Sequence, residues 1–128
     1  MFEAILSADA PAPIGPYSQA VKCGEWVFLS GQIPLDPVSG QVVGTTTPDQ
    51  TRQVFANLAA VLRAANLEPR HVVRTTIYLA DLADFGAVNE LYAAFFAAAP
   101  VPPARSTIQV AALPRGVRIE IDAIAIGP

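Results

Sequence analysis

The chain has 128 residues, 52 % of them hydrophobic and 15 % charged, and its formal net charge is −3. This length fits one domain, residues 1–128. A domain this short cannot bury so much apolar surface internally, so we expect an interface between copies of the chain. The alternative is that alanines at the surface account for the excess. Eight basic residues with no run of them argue against a nucleic-acid partner, because such partners bind through Lys and Arg.

Cysteine usage and hydropathy indicate the compartment. The one cysteine, Cys23, cannot form an internal disulfide, which suits a reducing environment. Met1–Ile5 has neither the basic nor the apolar region of a secretory signal. The uncharged stretch Leu91–Ala104 is too short to span a bilayer and contains three prolines. We therefore expect a soluble cytoplasmic protein with no membrane partner.

The first third of the chain predicts a hairpin. Pro11–Pro16 is a stiff, irregular segment, because its prolines lack backbone donors. Two strand-like runs follow, Ser18–Cys23 and Trp26–Ser30, and only residues 24–25 separate them. Asp36–Gly40 has the composition of a turn.

The next segment predicts the first helix. We expect it to begin at Thr47, with the threonine as a cap, Pro48 at the first helical position and Gln50 completing a capping box. Asn66 is a plausible stop signal. Apolar side chains recur at helical spacing along one face: Val54, Leu58, Val61, Leu62 and Ala65.

The remaining sequence predicts three strands and a second helix. His71–Ala80 is rich in β-branched residues, and the helix should begin near Asp84, a good cap. Ala104–Val110 and Val117–Ile126 are strand-like, with a turn at residues 113–116. The helix presents a broad apolar stripe: Phe85, Val88, Leu91, Tyr92, Phe95 and Phe96. The order β-β-α-β-α-β-β predicts an α+β sandwich with both helices on one face of a sheet.

Several chemistries lack the residues they need. The single histidine, His71, has no Cys or His neighbour for a zinc site and no serine elbow for a triad. Cys23 lies in a strand-like run and is better explained as a structural thiol than as a nucleophile. No phosphate-binding glycine loop is present. We expect no metal and no cofactor.

Arg105 is the polar residue with the clearest alternatives. In an extended strand it shares a face with Thr107 and Gln109. A guanidinium offers two parallel donors that match a carboxylate, so Arg105 is a candidate for binding a substrate acid. The pattern also allows an ion pair with Glu120 or Asp122 on a neighbouring strand, and by itself it favours that ion pair.

Three further polar residues have both functional and structural interpretations. Glu120 lies between apolar residues and is a candidate for holding a water molecule and accepting its proton, although alternation alone favours a solvated strand face. Asn89 lies at the edge of the second helix's stripe and faces either a cleft or solvent. Tyr17 follows a Gly-Pro turn, where it covers a pocket or packs on a partner chain.

Six short segments occur in a fixed order along nearly the whole chain. They are Ala12–Ala20, Ser30–Pro34, Asp81–Phe85, Val88–Asn89, Pro103–Ser106 and Ile119–Ala123. Each is short, but the ordered set resembles the reactive-intermediate (enamine/imine) deaminases, the RidA/YjgF family. The resemblance implies a fold like that of chorismate mutase of the trimeric type, a sandwich with a mixed sheet and two helices packed on one face. It also implies a homotrimer whose sites lie in clefts between subunits.

The resemblance also implies a role for each candidate residue. In the deaminase branch an arginine holds the substrate carboxylate and a glutamate positions the attacking water, and Arg105 and Glu120 stand at those positions. Thr107 stands where the family often has a cysteine that contacts substrate, which removes any thiol role. The other matching cleft positions are Tyr17, Ser30, Gly31 and Asn89.

The implied activity is hydrolysis of reactive enamine and imine intermediates, such as 2-aminoacrylate/2-iminopropanoate and 2-iminobutanoate, to 2-keto acids and ammonia. Such an enzyme removes damaging metabolites that pyridoxal-phosphate dehydratases release. Two alternatives stay open: a non-catalytic module that binds keto acids, and an endoribonuclease-type translation inhibitor. The acidic pI near 4.9 and the lone histidine argue against the nuclease.

Overall fold

The computed structural model describes all residues, 1–128, and contains one six-stranded mixed sheet with two α-helices. The elements in chain order are β1 (Glu3–Ile5), β2 (Ala20–Cys23), β3 (Trp26–Gln32), α1 (Thr47–Ala64), β4 (Val72–Leu79), α2 (Phe85–Phe95), β5 (Ala104–Gln109) and β6 (Ile119–Ile126). The predicted α+β class, with two helices on a mixed sheet, is confirmed. Neither helix combines the length and apolar character needed to cross a bilayer.

The sheet has the strand order β1-β2-β3-β6-β4-β5. All neighbours are antiparallel except β4 and β5, which are parallel and are connected through α2. β6, the last strand of the chain, therefore lies between β3 and β4, and β5 forms one edge. The predicted hairpin of β2 and β3 is confirmed, with Cys23 opposite Trp26.

Both helices pack on the same face of the sheet, and the core lies between them and the strands. β6 alternates along its length, so that every second side chain is buried under the helices. The largest fully buried aliphatic side chains are Val27, Val54, Val61, Leu62, Ile77, Leu79, Val88, Ile119 and Ile121. The other face carries no helix and exposes large apolar side chains, namely Trp26, Phe28 and Ile108.

α1 begins at Thr47 as predicted, but its cap differs from the prediction by one residue. Thr46, not Thr47, is the cap, and its hydroxyl accepts from the Asp49 backbone N–H at 3.3 Å. The predicted capping box is wrong, because the Gln50 carboxamide instead donates to the Gly44 carbonyl and accepts from the Arg118 backbone N–H. The stop signal at Asn66 fits the structure, since its φ of 60° cannot continue a right-handed helix.

Other boundaries shift for local reasons. β1 is missed by the sequence analysis, because three residues give too short a pattern. β6 begins at Ile119 rather than Val117, and residues 114–116 form a 3₁₀ turn. α2 begins where predicted, but the Asp84 side chain makes no cap hydrogen bond.

Asp84 instead joins three elements. Its carboxylate accepts from the Thr47 hydroxyl at 2.6 Å and from the Arg118 guanidinium at 2.8 Å. Arg118 also donates to the Thr47 hydroxyl at 2.7 Å. The hydrogen bonds from Thr47 and then Arg118 lower the pKa of Asp84 below its ordinary value. This triad links the N-termini of both helices to the residue preceding β6.

We predict that Asp84→Asn lowers the free energy of unfolding at pH 7 by about 1 kcal/mol, because the triad is partly exposed and solvent screens it. Because the pKa of Asp84 is lower in the folded chain than in the unfolded chain, its carboxylate stabilises the fold at pH values above the unfolded-state pKa. This stabilisation is lost as the pH falls through the folded-state pKa. The difference from wild type should therefore shrink in urea titrations at pH 3. Asp9→Asn, at an exposed carboxylate with no hydrogen bond, is the control. Equal stability of Asp84→Asn and wild type at pH 7 would contradict the prediction.

Candidate active site

Arg105 lies on the edge strand β5 and points to the helix face of the sheet. Its register partner Thr75 is buried on that face. The guanidinium donates to the Asn89 carboxamide oxygen at 2.8 Å and lies 5.1 Å and 4.7 Å from the ring centroids of Phe85 and Tyr92. These contacts orient the cation without neutralising it.

The structural alternative for Arg105, an ion pair within its own chain, is wrong. The chain contains three salt bridges, and none of them includes Arg105. Glu120 and Asp122 lie two strands away and point to the opposite face. Arg105 is thus an exposed cation without a carboxylate partner.

Thr107 follows two residues later on the same face, beside the fully buried Ile77. Its hydroxyl oxygen is buried and has no hydrogen-bond partner in the chain. Buried polar atoms nearly always have partners, so this hydroxyl is an exception within the chain. The row of Arg105, Thr107 and Gln109 on one face is as the sequence predicts.

Glu120 lies in the middle of β6 on the face without helices, directly opposite Tyr78 of β4. It is half-buried, and burial first and the Asp122 charge second raise the pKa of Glu120 above its ordinary value. Asp122 itself accepts from the Tyr78 hydroxyl at 2.9 Å. A carboxylate with a raised pKa is a better proton acceptor, which suits a group that activates water.

A bulge in β3 makes room for Glu120. The register of β3 and β6 shifts between Leu29 and Gln32, which brings Gly31 against the glutamate. A Cβ at Gly31 would overlap the Glu120 carboxylate, so only glycine fits there without displacing that side chain. Ser30 is fixed nearby, where its hydroxyl donates to the Ser18 carbonyl at 2.6 Å.

Glu120, Gly31 and Ser30 line a cavity of about 500 Å³. Tyr17 forms part of its wall and remains half exposed. The proline-rich segment forms another wall, and the buried Gln19 side chain holds it in place. Sequence reasoning missed that role of Gln19, because a glutamine in a strand-like run gives no distinctive signal.

Arg115 also lines this cavity, although its sequence context predicts only a turn. Its side chain reaches the Gly40 carbonyl, 75 residues earlier in the chain. A contact of that range leaves no local pattern in the sequence.

Arg105 and Asn89 line a second cavity, of about 560 Å³, beside the C-terminal half of α2. The predicted residues therefore form two groups in one chain. Arg105, Asn89 and Thr107 lie towards the helix face, whereas the cavity with Glu120 opens on the other face. No cluster of three or more His, Cys, Asp or Glu side chains is arranged to hold a metal ion.

Comparison with known proteins identifies the family. A family model described as "Endoribonuclease L-PSP" matches residues 7–127. The chain is 50 % identical to the 2-iminobutanoate/2-iminopropanoate deaminase of Mus musculus, covering 97 % of this chain and 91 % of that protein. It is 55 % identical to protein DfrA of Myxococcus xanthus, covering 97 % of this chain and 95 % of that protein.

The chain belongs to the RidA/YjgF family. Solved structures agree with this assignment. A conserved Rid-family protein of Yersinia pestis matches with a TM-score of 0.96 at 40 % identity, over 99 % of this chain and 100 % of that one. The Escherichia coli protein TdcF, solved with bound serine, matches with a TM-score of 0.93 at 40 % identity, over 98 % and 99 % of the two chains. The Rid fold predicted from the resemblance is confirmed.

Proposed function

We propose that this Rid protein hydrolyses 2-imino acids, including 2-iminopropanoate and 2-iminobutanoate, to 2-keto acids and ammonia. The observation that carries the proposal is the unneutralised guanidinium of Arg105, held in one geometry by Asn89 and two aromatic rings. A planar fork of donors without a carboxylate partner fits the carboxylate that all of these substrates share. The Mus musculus relative bears the name of this activity, and TdcF binds serine, an α-amino acid.

In the proposed reaction, Arg105 binds the substrate carboxylate and Glu120 holds a water molecule beside the imine carbon. Glu120 accepts a proton as the water oxygen bonds to that carbon and passes it to the imine nitrogen, which gives a tetrahedral carbinolamine. Glu120 then transfers the proton of the new hydroxyl to the amino group, the C–N bond breaks, ammonia leaves and the keto group forms. Since the imine carbon is already electrophilic, positioning supplies most of the acceleration.

The two groups of residues require a second copy of the chain in this mechanism. Arg105 and Glu120 point to opposite faces, so neither cavity alone contains both. We propose a homotrimer in which Arg105, Asn89 and Thr107 of one copy face the Glu120 cavity of the next. The exposed apolar face with Trp26 and Phe28 supports this, because large apolar groups on a small protein commonly mark an interface.

The remaining cavity residues acquire roles in that arrangement. Tyr17 covers the substrate, and Ser30 and Gly31 shape the water site beside Glu120. Thr107, which lies on the same face of β5 as Arg105, contacts the substrate next to it. No cofactor enters the reaction. We assign the activity to the cytoplasm, since the exposed, free Cys23 suits a reducing compartment.

The family description keeps an endoribonuclease as the second candidate. The net charge of −3 disfavours it, because RNA binding relies on clustered cations. Incubating repurified protein with RNA decides between the two. Cleavage that Arg105→Ala abolishes would favour the nuclease, and absence of cleavage favours the deaminase.

We predict that Arg105→Ala lowers kcat/KM for imine hydrolysis about a hundredfold, because the substrate carboxylate loses its paired, charge-assisted hydrogen bonds to the guanidinium. Arg105→Lys should restore part of the rate, because lysine keeps the positive charge but lacks the two parallel donors of the guanidinium. The assay couples a dehydratase that generates 2-aminoacrylate to detection of pyruvate.

Arg70→Ala, at an exposed ion pair with Glu68, is the control and should retain full activity. Wild-type activity in Arg105→Ala would refute the role of the guanidinium. Binding of 2-ketobutyrate by wild type without faster imine hydrolysis would show a non-catalytic binding module instead.

We also predict that Gly31→Ala lowers kcat at least tenfold with little change in Tm. The added methyl group displaces the flexible Glu120 carboxylate rather than backbone atoms. The substitution therefore disrupts the water site beside Glu120 and leaves the fold stable. Gly86→Ala is the matched control. Its Cβ would meet no atom within 4 Å, and alanine favours the helix in which it lies. A Gly31→Ala variant with normal kcat would contradict the placement of Glu120 at the reacting water.

A further inference from the structure

Arg115 has a backbone conformation that an arginine rarely adopts. Its φ of 58° and ψ of 20° are left-handed, and Gly116 follows with a φ of 66°. Non-glycine residues in this region are uncommon, and they cluster at ligand-binding and active sites. The chain therefore has an arginine at a position where glycine or asparagine would be less strained.

The Arg115 side chain lines the Glu120 cavity and is held in place by a hydrogen bond. One of its terminal nitrogens donates to the Gly40 carbonyl at 2.6 Å, which ties two turns together. No carboxylate of the chain forms a salt bridge with it. A guanidinium has five N–H donors, so most of its donors stay free for a ligand. Arg115 is therefore an oriented cation without a counter-ion.

The cavity offers no other cationic group. Of the residues that line it, only Tyr17, Glu120 and Arg115 carry ionisable side chains. In the proposed reaction the carboxylate next to the imine is bound by Arg105 of the neighbouring copy. A second anion on the substrate would thus meet Arg115 alone. The volume of about 500 Å³ falls within the usual range of small-molecule sites and leaves room for more than a three-carbon acid.

We propose that Arg115 binds the distal carboxylate of imino acids derived from dicarboxylic amino acids, such as 2-iminosuccinate and 2-iminoglutarate. This inference rests on the proposed deaminase activity and names a substrate class for it. The chemistry at the imine carbon is unchanged: water adds, the C–N bond breaks, and a dicarboxylic keto acid and ammonia form. Arg115 makes no bond to the reacting atoms and acts on selectivity only.

The test compares two substrates in one assay. Amino-acid oxidases generate the imines of alanine and glutamate, and the rate of keto-acid release gives kcat/KM for each. Arg115→Gln should lower kcat/KM for the glutamate imine about tenfold and leave the alanine imine within about twofold, because one charge-assisted contact is lost. Arg115→Lys should restore part of the preference. Arg52→Gln, at an exposed ion pair on α1, removes the same charge and should change neither rate.

The rates for the two imines distinguish a failure of the Arg115 proposal from a failure of the deaminase function. Equal losses for both imines would mean that Arg115 only braces the two turns, which overturns the proposal. No loss for either imine would overturn it as well. If wild type accelerates hydrolysis of neither imine, the deaminase function itself fails, whereas activity on the alanine imine without a response to Arg115 leaves that function intact.

Discussion

The alternation of side chains along β5 and β6 is the constraint on which the site depends. Successive residues of a strand point to opposite faces, so the register of the sheet fixes Arg105 on the helix face and Glu120 on the other. No rotamer change brings the two groups together through the sheet. The proposed reaction uses both a carboxylate fork and a water-holding carboxyl, and we therefore propose that a second copy of the chain supplies one of them. The apolar, helix-free face of the sheet offers a surface on which that copy can pack.

The environment of each group matches its proposed task. Arg105 rests on aromatic rings and an amide, which fix its direction and leave its charge uncompensated. Glu120 lies beside a glycine and a second carboxylate, and both burial and charge raise its pKa. One group is kept charged and the other is kept ready to accept a proton. That difference follows from local contacts rather than from the fold as a whole.

Much of the fold could be predicted from the sequence, and the failures have identifiable causes. Helical periodicity gave α1 and α2, and alternation gave β6, because these patterns reflect burial directly. Helix caps were less accurate: Gln50 and Asp84 are typical capping residues, yet both serve long-range contacts with Arg118. The parallel pairing of β4 with β5 was not predicted, since it depends on the packing of α2.

The site was only partly accessible to sequence reasoning. The residue pattern around Arg105 left an ion pair open, and the resemblance to the family was needed to favour a substrate role. Asn89 was expected in a cleft, but its contact with the guanidinium depends on how α2 packs against β5. Gln19 and Arg115 act through contacts far along the chain, which no local pattern reveals.

The most direct measurement of the shared site uses two inactive variants in one assembly. Arg105→Ala and Glu120→Ala subunits carrying different tags are co-expressed, and assemblies with both tags are purified and assayed. If each site combines Arg105 of one copy with Glu120 of the next, every doubly tagged trimer has one intact site, about a third of the wild-type sites. We expect activity approaching that fraction in the mixed assemblies and only about a hundredth of wild-type activity in the Arg105→Ala parent. Mixed assemblies as inactive as their parents would contradict a site built from two chains.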